Sequence, residues 1–438
     1  MTLRTSKFVG GILSAALLSI VGAGQANASG FEKTIMFGGQ EAGVAGIAAP
    51  YVSGSEALYF NPAGLVGDKV GQDVSFNLSP TQATFSGPID YNDDKATSNA
   101  LVMPLSLMYG KTINDQFGVG IGYFVSGGSK ADYSGIDFGF AQPSLMQEIT
   151  DLTISEVSVG AAYKVNDSLK VGIAYRWTMA SGNVSTVSVS QPSIAVVGNP
   201  SFTQLKGNNF AGFRLGAQYK VNDSNKIGLT YRSETNINAA GNVGGIVNGG
   251  GGLQTINPNT ATLRTTFPMQ ITLAGENDLS DTWKLFEEYE WTQYSRVGTI
   301  QIDGALSAPV YGNFTDVNGS AFLHENWLDQ HSLRAGAQYA GFSWPIRFGL
   351  GWTSQVTDAA HAQAQFSAPA AAYTLTAGTG HICKIGDQSL RYDVAGEYSW
   401  LSGDSSGGGA AGDKANPVRS GTFATSALAL HLGIAYNF

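Results

Sequence analysis

Residues 428–438 read LALHLGIAYNF, and the parity of this stretch decides the fold. Leu428, Leu430, Leu432, Ile434, Tyr436 and Phe438 share one parity; Ala429, His431, Gly433, Ala435 and Asn437 share the other. Successive side chains of a strand point to opposite faces, so the spacing predicts a strand with one greasy side and one small or polar side. In a soluble sandwich the polar side would face water. Composition argues for the reverse.

Only 13% of the 438 residues are charged, against roughly 25% in soluble domains, and 57 are glycine. The first 28 residues have a basic start (Arg4, Lys7), an apolar stretch from about Phe8 to Ala23 and the small-residue ending Ala26-Asn27-Ala28, the layout of a secretory signal peptide. A transmembrane anchor is the alternative, but Gly and Ser interrupt the run short of the roughly 20 apolar residues a spanning helix needs. Beyond it no segment is long and apolar enough either. An exported, charge-poor chain whose apolar residues come at period two reads as a transmembrane β-barrel, with lipid on the greasy face and a lumen on the small one. The net charge of −9 argues against nucleic acid as a partner. One cysteine, Cys383, excludes an intrachain disulfide and a cysteine-based zinc site.

The alternation recurs. Phe117, Val119, Ile121, Tyr123 and Val125 stand against Gly118, Gly120 and Gly122; Ile346, Phe348, Leu350 and Trp352 stand against Arg347, Gly349, Gly351 and Thr353. The pattern predicts fourteen strands, at 73–86, 100–112, 116–127, 150–164, 168–182, 205–221, 225–239, 259–275, 281–298, 325–340, 345–357, 371–385, 389–402 and 421–438. Between them INDQ (113–116), VNDS (165–168), VNDS (221–224), DLSD (278–281), AGFSW (340–344) and IGDQ (385–388) carry the Asn, Asp, Gly and Ser of tight turns. Six short turns alternate with seven long Gly-, Ser-, Asn- and Ala-rich loops. In outer-membrane barrels short turns face the periplasm, so an even strand count and two periplasmic chain ends are expected. The fold class is therefore all-β: a 14-stranded antiparallel transmembrane β-barrel in the outer membrane of a Gram-negative cell.

Aromatics gather at strand ends, as at Tyr163, Tyr219, Tyr339, Trp344, Tyr436 and Phe438, where a headgroup-level girdle belongs. A final aromatic residue is similar to the signal read by barrel assembly machinery. Arg176, Arg214, Arg232, Arg264, Arg334, Arg347 and Arg391 all fall by parity on the lumen face. Lipid-facing arginine would cost roughly 2–4 kcal/mol near the bilayer midplane. These arginines either pair with lumen carboxylates such as Glu234, Glu288, Glu290, Asp393 and Glu397, or leave one or two to hold an anionic head group. Arg176, Arg214 and Arg334 are the candidates for that role. Glu287 breaks the pattern: in WKLFEEYEW it shares a face with Trp283, Leu285, Tyr289 and Trp291. A bulge, an interfacial position or an oligomer contact would each account for it.

No chemistry of bond-making stands out. His324, His331, His361, His381 and His431 show no metal spacing, and no GxSxG accompanies them. No catalytic residue, metal or cofactor is expected, and the chain does not read as an enzyme.

Residues 29–70 precede the first strand and behave differently. SEALYFNPAGL (55–65) leans helical, and Pro62 disfavours the α region at Asn61, so a turn through Glu56–Phe60 ends there. Apolar helix-and-turn material tethered to a barrel end buries its surface by sitting inside. The expected organisation is a signal peptide at 1–28, a hatch or plug at 29–70 and the barrel at 71–438.

The start SGFEKTIMFGGQEAGVAGIAAPYVSGSEALYFNPAGL, its Asn61-Pro62-Ala63 motif, fourteen strands and the aromatic C-terminus together resemble the FadL family of outer-membrane transporters for long-chain fatty acids and other hydrophobic compounds. The resemblance spans the chain beyond the signal. It implies a hatch carrying the NPA motif and a kinked third strand that opens the wall, which maps to Gly127-Gly128; a flexible loop start is the alternative there. Phe138, Phe140, Leu145, Met146 and Ile149 resemble an outer capture groove, with a packed loop cap as the alternative. Arg176 is similar in position to a family basic residue on the fifth strand.

The expected function is passive uptake of hydrophobic molecules, long-chain fatty acids first and aromatic or aliphatic hydrocarbons second, by a monomer surrounded by outer-membrane lipid and lipopolysaccharide. A general diffusion porin and a surface adhesin are the competing readings.

Overall fold

The computed structural model describes residues 32, 35, 37–67, 70–89, 95–134, 147–185, 188–190, 196–249, 252–310, 313–324, 326–364, 368–406 and 420–438. Parity governs the last strand as expected. Leu428 and Ile434 are 63% and 50% exposed, whereas Ala429, His431 and Ala435 are buried. Apolar side chains outermost and small or polar ones innermost suit a wall whose outer solvent is lipid.

The strands number fourteen, several of them in two collinear pieces. The first four are β1 (Gly71–Leu78, Thr81–Pro88), β2 (Lys95–Val102, Leu105–Thr112), β3 (Phe117–Asp132) and β4 (Ile149–Lys164). Then come β5 (Leu169–Ser185), β6 (Val196–Lys220), β7 (Asn225–Arg232, Thr235–Gly249) and β8 (Gly252–Phe267, Gln270–Asp278). The rest are β9 (Trp283–Thr292, Thr299–Val310), β10 (Asn313–His324, Gln330–Tyr339), β11 (Ile346–Thr353), β12 (Ala372–Ile385), β13 (Gln388–Ser406) and β14 (Ser420–Asn437). Consecutive strands pair antiparallel, and β14 returns to β1 from Asp73↔Asn437 through Leu78↔Leu432, closing the barrel. Pro80, Pro104 and Pro268 sit at three of the breaks, where a residue without an N–H interrupts the ladder.

Four of the tight turns share one bonding pattern: Ile113, Val165, Val221 and Leu279 each donate to the carbonyl four residues on. Tyr163, Tyr219, Trp344 and Phe438 lie exposed beside such turns. At the opposite end two expected long loops are replaced by strand. β7 runs to Gly249 and β8 starts at Gly252; β9 runs to Val310 and β10 starts at Asn313. Their Gly-, Asn- and Thr-rich sequences lack apolar alternation, so periodicity gave no signal. Arg264 is a second correction: it is exposed, while its neighbours Ala261, Leu263 and Phe267 point inward. Below the break at Pro268 the inward positions are Thr272, Ala274 and Glu276. The break switches parity, and an argument carried across it fails.

The N-terminal segment holds two one-turn helices, α1 (Gly39–Ala42) and α2 (Ala57–Phe60), followed by a 3₁₀ turn at Pro62–Leu65. It packs on inward faces of the wall: the 3₁₀ turn on β3, β4, β5 and β6, and α1 on β12, β13 and β14. Glycines make the approach possible. A Cβ at Gly172 would stand 2.3 Å from the Pro62 carbonyl carbon, and one at Gly228 2.3 Å from that of Ala49.

Candidate functional site

Asn61 shows how the segment is fixed. α2 ends where Pro62 forces an extended Asn61 (φ −160°, ψ 104°), and the Asn61 side-chain oxygen accepts from the Ala63 amide at 3.2 Å. Its Nδ2 donates to Ala49 O at 2.8 Å and to Ala217 O of β6 at 2.9 Å. One buried side chain thereby joins two parts of the segment to the wall. The motif's Pro62 and Ala63 are buried against Gly172.

The lumen arginines are paired. Arg176 contacts Glu156 at 2.7 Å, with both side chains fully buried. Arg214 reaches the other Glu156 oxygen at 3.4 Å, donates to Leu58 O at 2.9 Å and lies over the Tyr59 ring. Arg334 joins Glu288 and Glu290, each at 2.8 Å. Arg232 grips Glu32 through both guanidinium ends. Arg391 binds Glu56 and, at 2.8 Å, Asp393, whose other oxygen holds Arg347 at 2.8 Å. Of the carboxylates expected by parity, Glu288, Glu290 and Asp393 pair with wall arginines, Glu234 meets the exposed Arg296, and Glu397 holds His431 instead. Glu32, Glu56 and Glu156 complete the set. Glu156 was readable, since it shares the inward parity of Ser158 and Ala162; the partners from the N-terminal segment were not.

Ser79 Oγ lies 2.9 Å from His431 Nδ1, and His431 Nε2 lies 2.8 Å from Glu397 Oε2. This relay has the elements of a nucleophilic triad, but Ser79 and His431 are completely buried. With no approach for a substrate it acts as a tie between the β1 break and strands β13 and β14.

Between these groups the lumen is layered. Above lies an apolar cluster that includes Phe202, Leu205, Phe267, Tyr294, Trp327 and Val356. Below it Arg214, Arg232, Glu288, Glu290, Arg334 and Gln330 surround a polar cavity of ≈ 70 Å³, floored by Ile35, Tyr59 and Phe60 of the N-terminal segment. That space holds a couple of waters at about 30 Å³ each and falls far short of the roughly 300 Å³ of a small-molecule pocket.

The wall is not continuous. β3 carries a bulge between Val125 and Gly127, and Gly128 has φ 152°, a conformation that suits glycine. Below the bulge β3 pairs with β2 from Gly118 to Phe124; beyond it β3 pairs with β4 alone. The upper half of β2, Lys95–Val102, pairs with β1 alone. Among the described residues the two edges are bridged by Asp132 N donating to Ser98 Oγ at 2.8 Å. The result is a notch in the ladder, packed by the buried Ala83, Phe85, Ala96, Ala100, Ala131 and Tyr133. Gly127 and Gly128 therefore fall at the ladder break. Of the groove residues, Ile149 opens β4 opposite Asp132 and Ser185; Phe138, Phe140, Leu145 and Met146 lie outside the described residues.

Residues 19–438 match the sequence profile of the family described as outer membrane protein transport protein (OMPP1/FadL/TodX). Outer membrane protein P1 of Haemophilus influenzae is 24% identical over 386 residues, 76% of this chain and 81% of that protein. A long-chain fatty acid transport protein of Salmonella typhi is 21% identical over 54% of this chain and 57% of its own length. The crystal structure of the Pseudomonas putida toluene transporter TodX superposes with a TM-score of 0.70 at 15% identity, covering 93% of this chain and 99% of that one.

Proposed function

Because the chain belongs to the OMPP1/FadL/TodX family of outer-membrane transport proteins, we propose that it carries neutral hydrophobic molecules passively across the outer membrane, aromatic or aliphatic hydrocarbons above all. The observation behind this reading is the pairing of Arg176, Arg214 and Arg334 with Glu156, Glu288 and Glu290. To take a fatty acid head group, an arginine would have to leave a buried carboxylate, and breaking a buried pair costs about 3–5 kcal/mol. A hydrocarbon asks for no such exchange.

In this reading residues 29–70 are the hatch, beneath the polar cavity, and 1–28 are removed on export. Capture takes place at the outer loops, including Phe138, Phe140, Leu145, Met146 and Ile149. Exit runs sideways through the β2–β3 notch at Gly127-Gly128, whose alanine-rich backing presents no charge to an apolar molecule. Release into the leaflet avoids a passage through water. Both chain ends lie in the periplasm, Phe438 is read by the assembly machinery, and lipopolysaccharide surrounds the outer rim.

Long-chain fatty acids are the second reading, favoured by relatives named as their transporters. Uptake of labelled toluene and of labelled oleate, in cells lacking their own transporters, separates the two. Toluene uptake without oleate uptake supports the neutral reading; equal restoration of oleate uptake abolished by Arg176→Ala would replace it. Deleting 29–70 tests the hatch, since a large steady conductance must appear.

A further inference from the structure

Glu287 interrupts the outer face. The lower part of β9 pairs without slip on both sides, Glu287 opposite Gly275 of β8 and Ala335 of β10, so no bulge turns it inward. It is exposed, four residues beyond Trp283, whose ring packs on Tyr339 of the girdle. At about 3.3 Å per residue and a tilt near 40°, its Cα lies roughly 10 Å into an apolar band about 25 Å tall. The carboxylate lies flat over Gly275, where a Cβ would stand 2.3 Å from Oε1. Asn277 Nδ2 donates to that oxygen at 2.6 Å. Among the described residues no basic side chain bonds to it. An ionisable residue at such depth marks a site with a partner.

Glu287 lines an open depression of the outer face together with Leu273, Gly275, Tyr289, Ala335, Leu350 and Trp352. Small residues beside a polar group are what lets membrane-embedded walls approach closely. We infer that this face seats a second copy of the chain about a two-fold axis along the membrane normal, each Asn277 donating its second amide hydrogen to Glu287 Oε2 of the other copy. Rotation about the normal preserves height, so a group meets only partner groups at its own level. Asn277 and Glu287 qualify, being 2.6 Å apart. Two identical faces brought together also set β8 of one against β9 of the other, which is the exchange an isologous contact requires. Acceptor and donor are thus complementary within one patch. On this inference the chain pairs as a dimer where the sequence led us to expect a monomer.

Cysteine cross-linking in outer membranes tests this, in a Cys383→Ala background. Leu285→Cys, at the level of Asn277 on the proposed axis, should give a cross-linked dimer with a short bismaleimide. Leu430→Cys on the exposed face of β14 should give at least tenfold less. Adding Glu287→Leu, which leaves the barrel a better lipid face, should remove the dimer, and the exchange Asn277→Glu with Glu287→Asn should restore it. Equal yields at Leu285→Cys and Leu430→Cys would overturn the proposal, as would a dimer that survives Glu287→Leu. A monomer retaining an aminophospholipid on this face in native mass spectrometry would overturn it in favour of a lipid site.

Discussion

On the β3–β7 side of the lumen, Gly118, Gly172, Gly216 and Gly228 let the backbone of residues 49–65 lie directly on the wall, with Asn61 as the polar clip. On the β11–β14 side glycine also admits the chain, as at Gly349 against Ala45, but the contact adds Glu41, Glu56, Asp73, Arg347, Arg391 and Asp393. The first contact is mainly steric, with the Glu156-paired Arg214 donating to Leu58 O and Arg232 holding Glu32 at its edge. The second is a buried ion network in which four acids meet two bases. On the proposed hatch reading the two kinds of contact divide the work: a fixed seat defines where the segment returns, and a charged side adjusts how strongly it is held.

The largest effect should come from filling the seat. Gly172→Val adds a Cβ 2.3–2.4 Å from the backbone of Pro62 and Ala63, none of which can swing aside. Valine suits a strand, so the barrel should still form while the N-terminal segment is displaced. Planar bilayers should then show a steady open conductance, and protease should cut the segment in folded barrels. A closed, resistant Gly172→Val channel would mean the seat is softer than its contacts imply. Next comes Arg391→Ala, which strips Glu56 of a buried partner and leaves Asp393 to Arg347 alone. A loss of about 3–5 kcal/mol of seating is expected, seen as frequent openings. Asn61→Ala removes three hydrogen bonds at about 1 kcal/mol each, so its openings should be fewer than those of Arg391→Ala.

Those two sides were unequally legible in the sequence. Leu428–Phe438, the VNDS turns and the inward parity of Arg176, Arg214, Arg334, Arg347 and Arg391 follow from period two and turn chemistry alone. The Asn61-Pro62 stop also follows, because proline restricts its predecessor wherever it stands. What parity could not supply was the partner of each charge. Arg391 finds Glu56 across 335 positions and Arg232 finds Glu32 across 200. Such pairs belong to the closed barrel and leave no local trace. The glycines were read as a small lumen face; that they are the footprint of residues 49–65 appears only when the segment is in place. Arg264 shows the limit from the other direction, since one proline-marked break reverses every side chain beyond it.

The pH response is the prediction that most cleanly separates the two sides. Glu41 Oε2 is buried and has no hydrogen-bond partner. Glu56 from the same segment and Arg391 and Asp393 from β13 act on it. Burial first, and then the charge on Glu56, push its carboxyl from 4.5 up to about 8. The released segment titrates near the lower value and the seated one near the higher, so between them the seated form holds the extra proton. The contribution of Glu41 to seating is therefore full below about pH 4.5, weakens as pH climbs, and is lost above about 8. Open probability and protease sensitivity should rise from pH 5 to pH 9 in the unaltered chain and stay nearly flat in Glu41→Gln, which keeps a neutral group of the same shape. Asn61→Ala, acting on the other side, should raise the whole curve without changing its slope. If Glu41→Gln keeps the full slope, the pH response resides in another acid of the cluster; if Asn61→Ala flattens it, the two sides are one coupled contact and the division drawn between them fails.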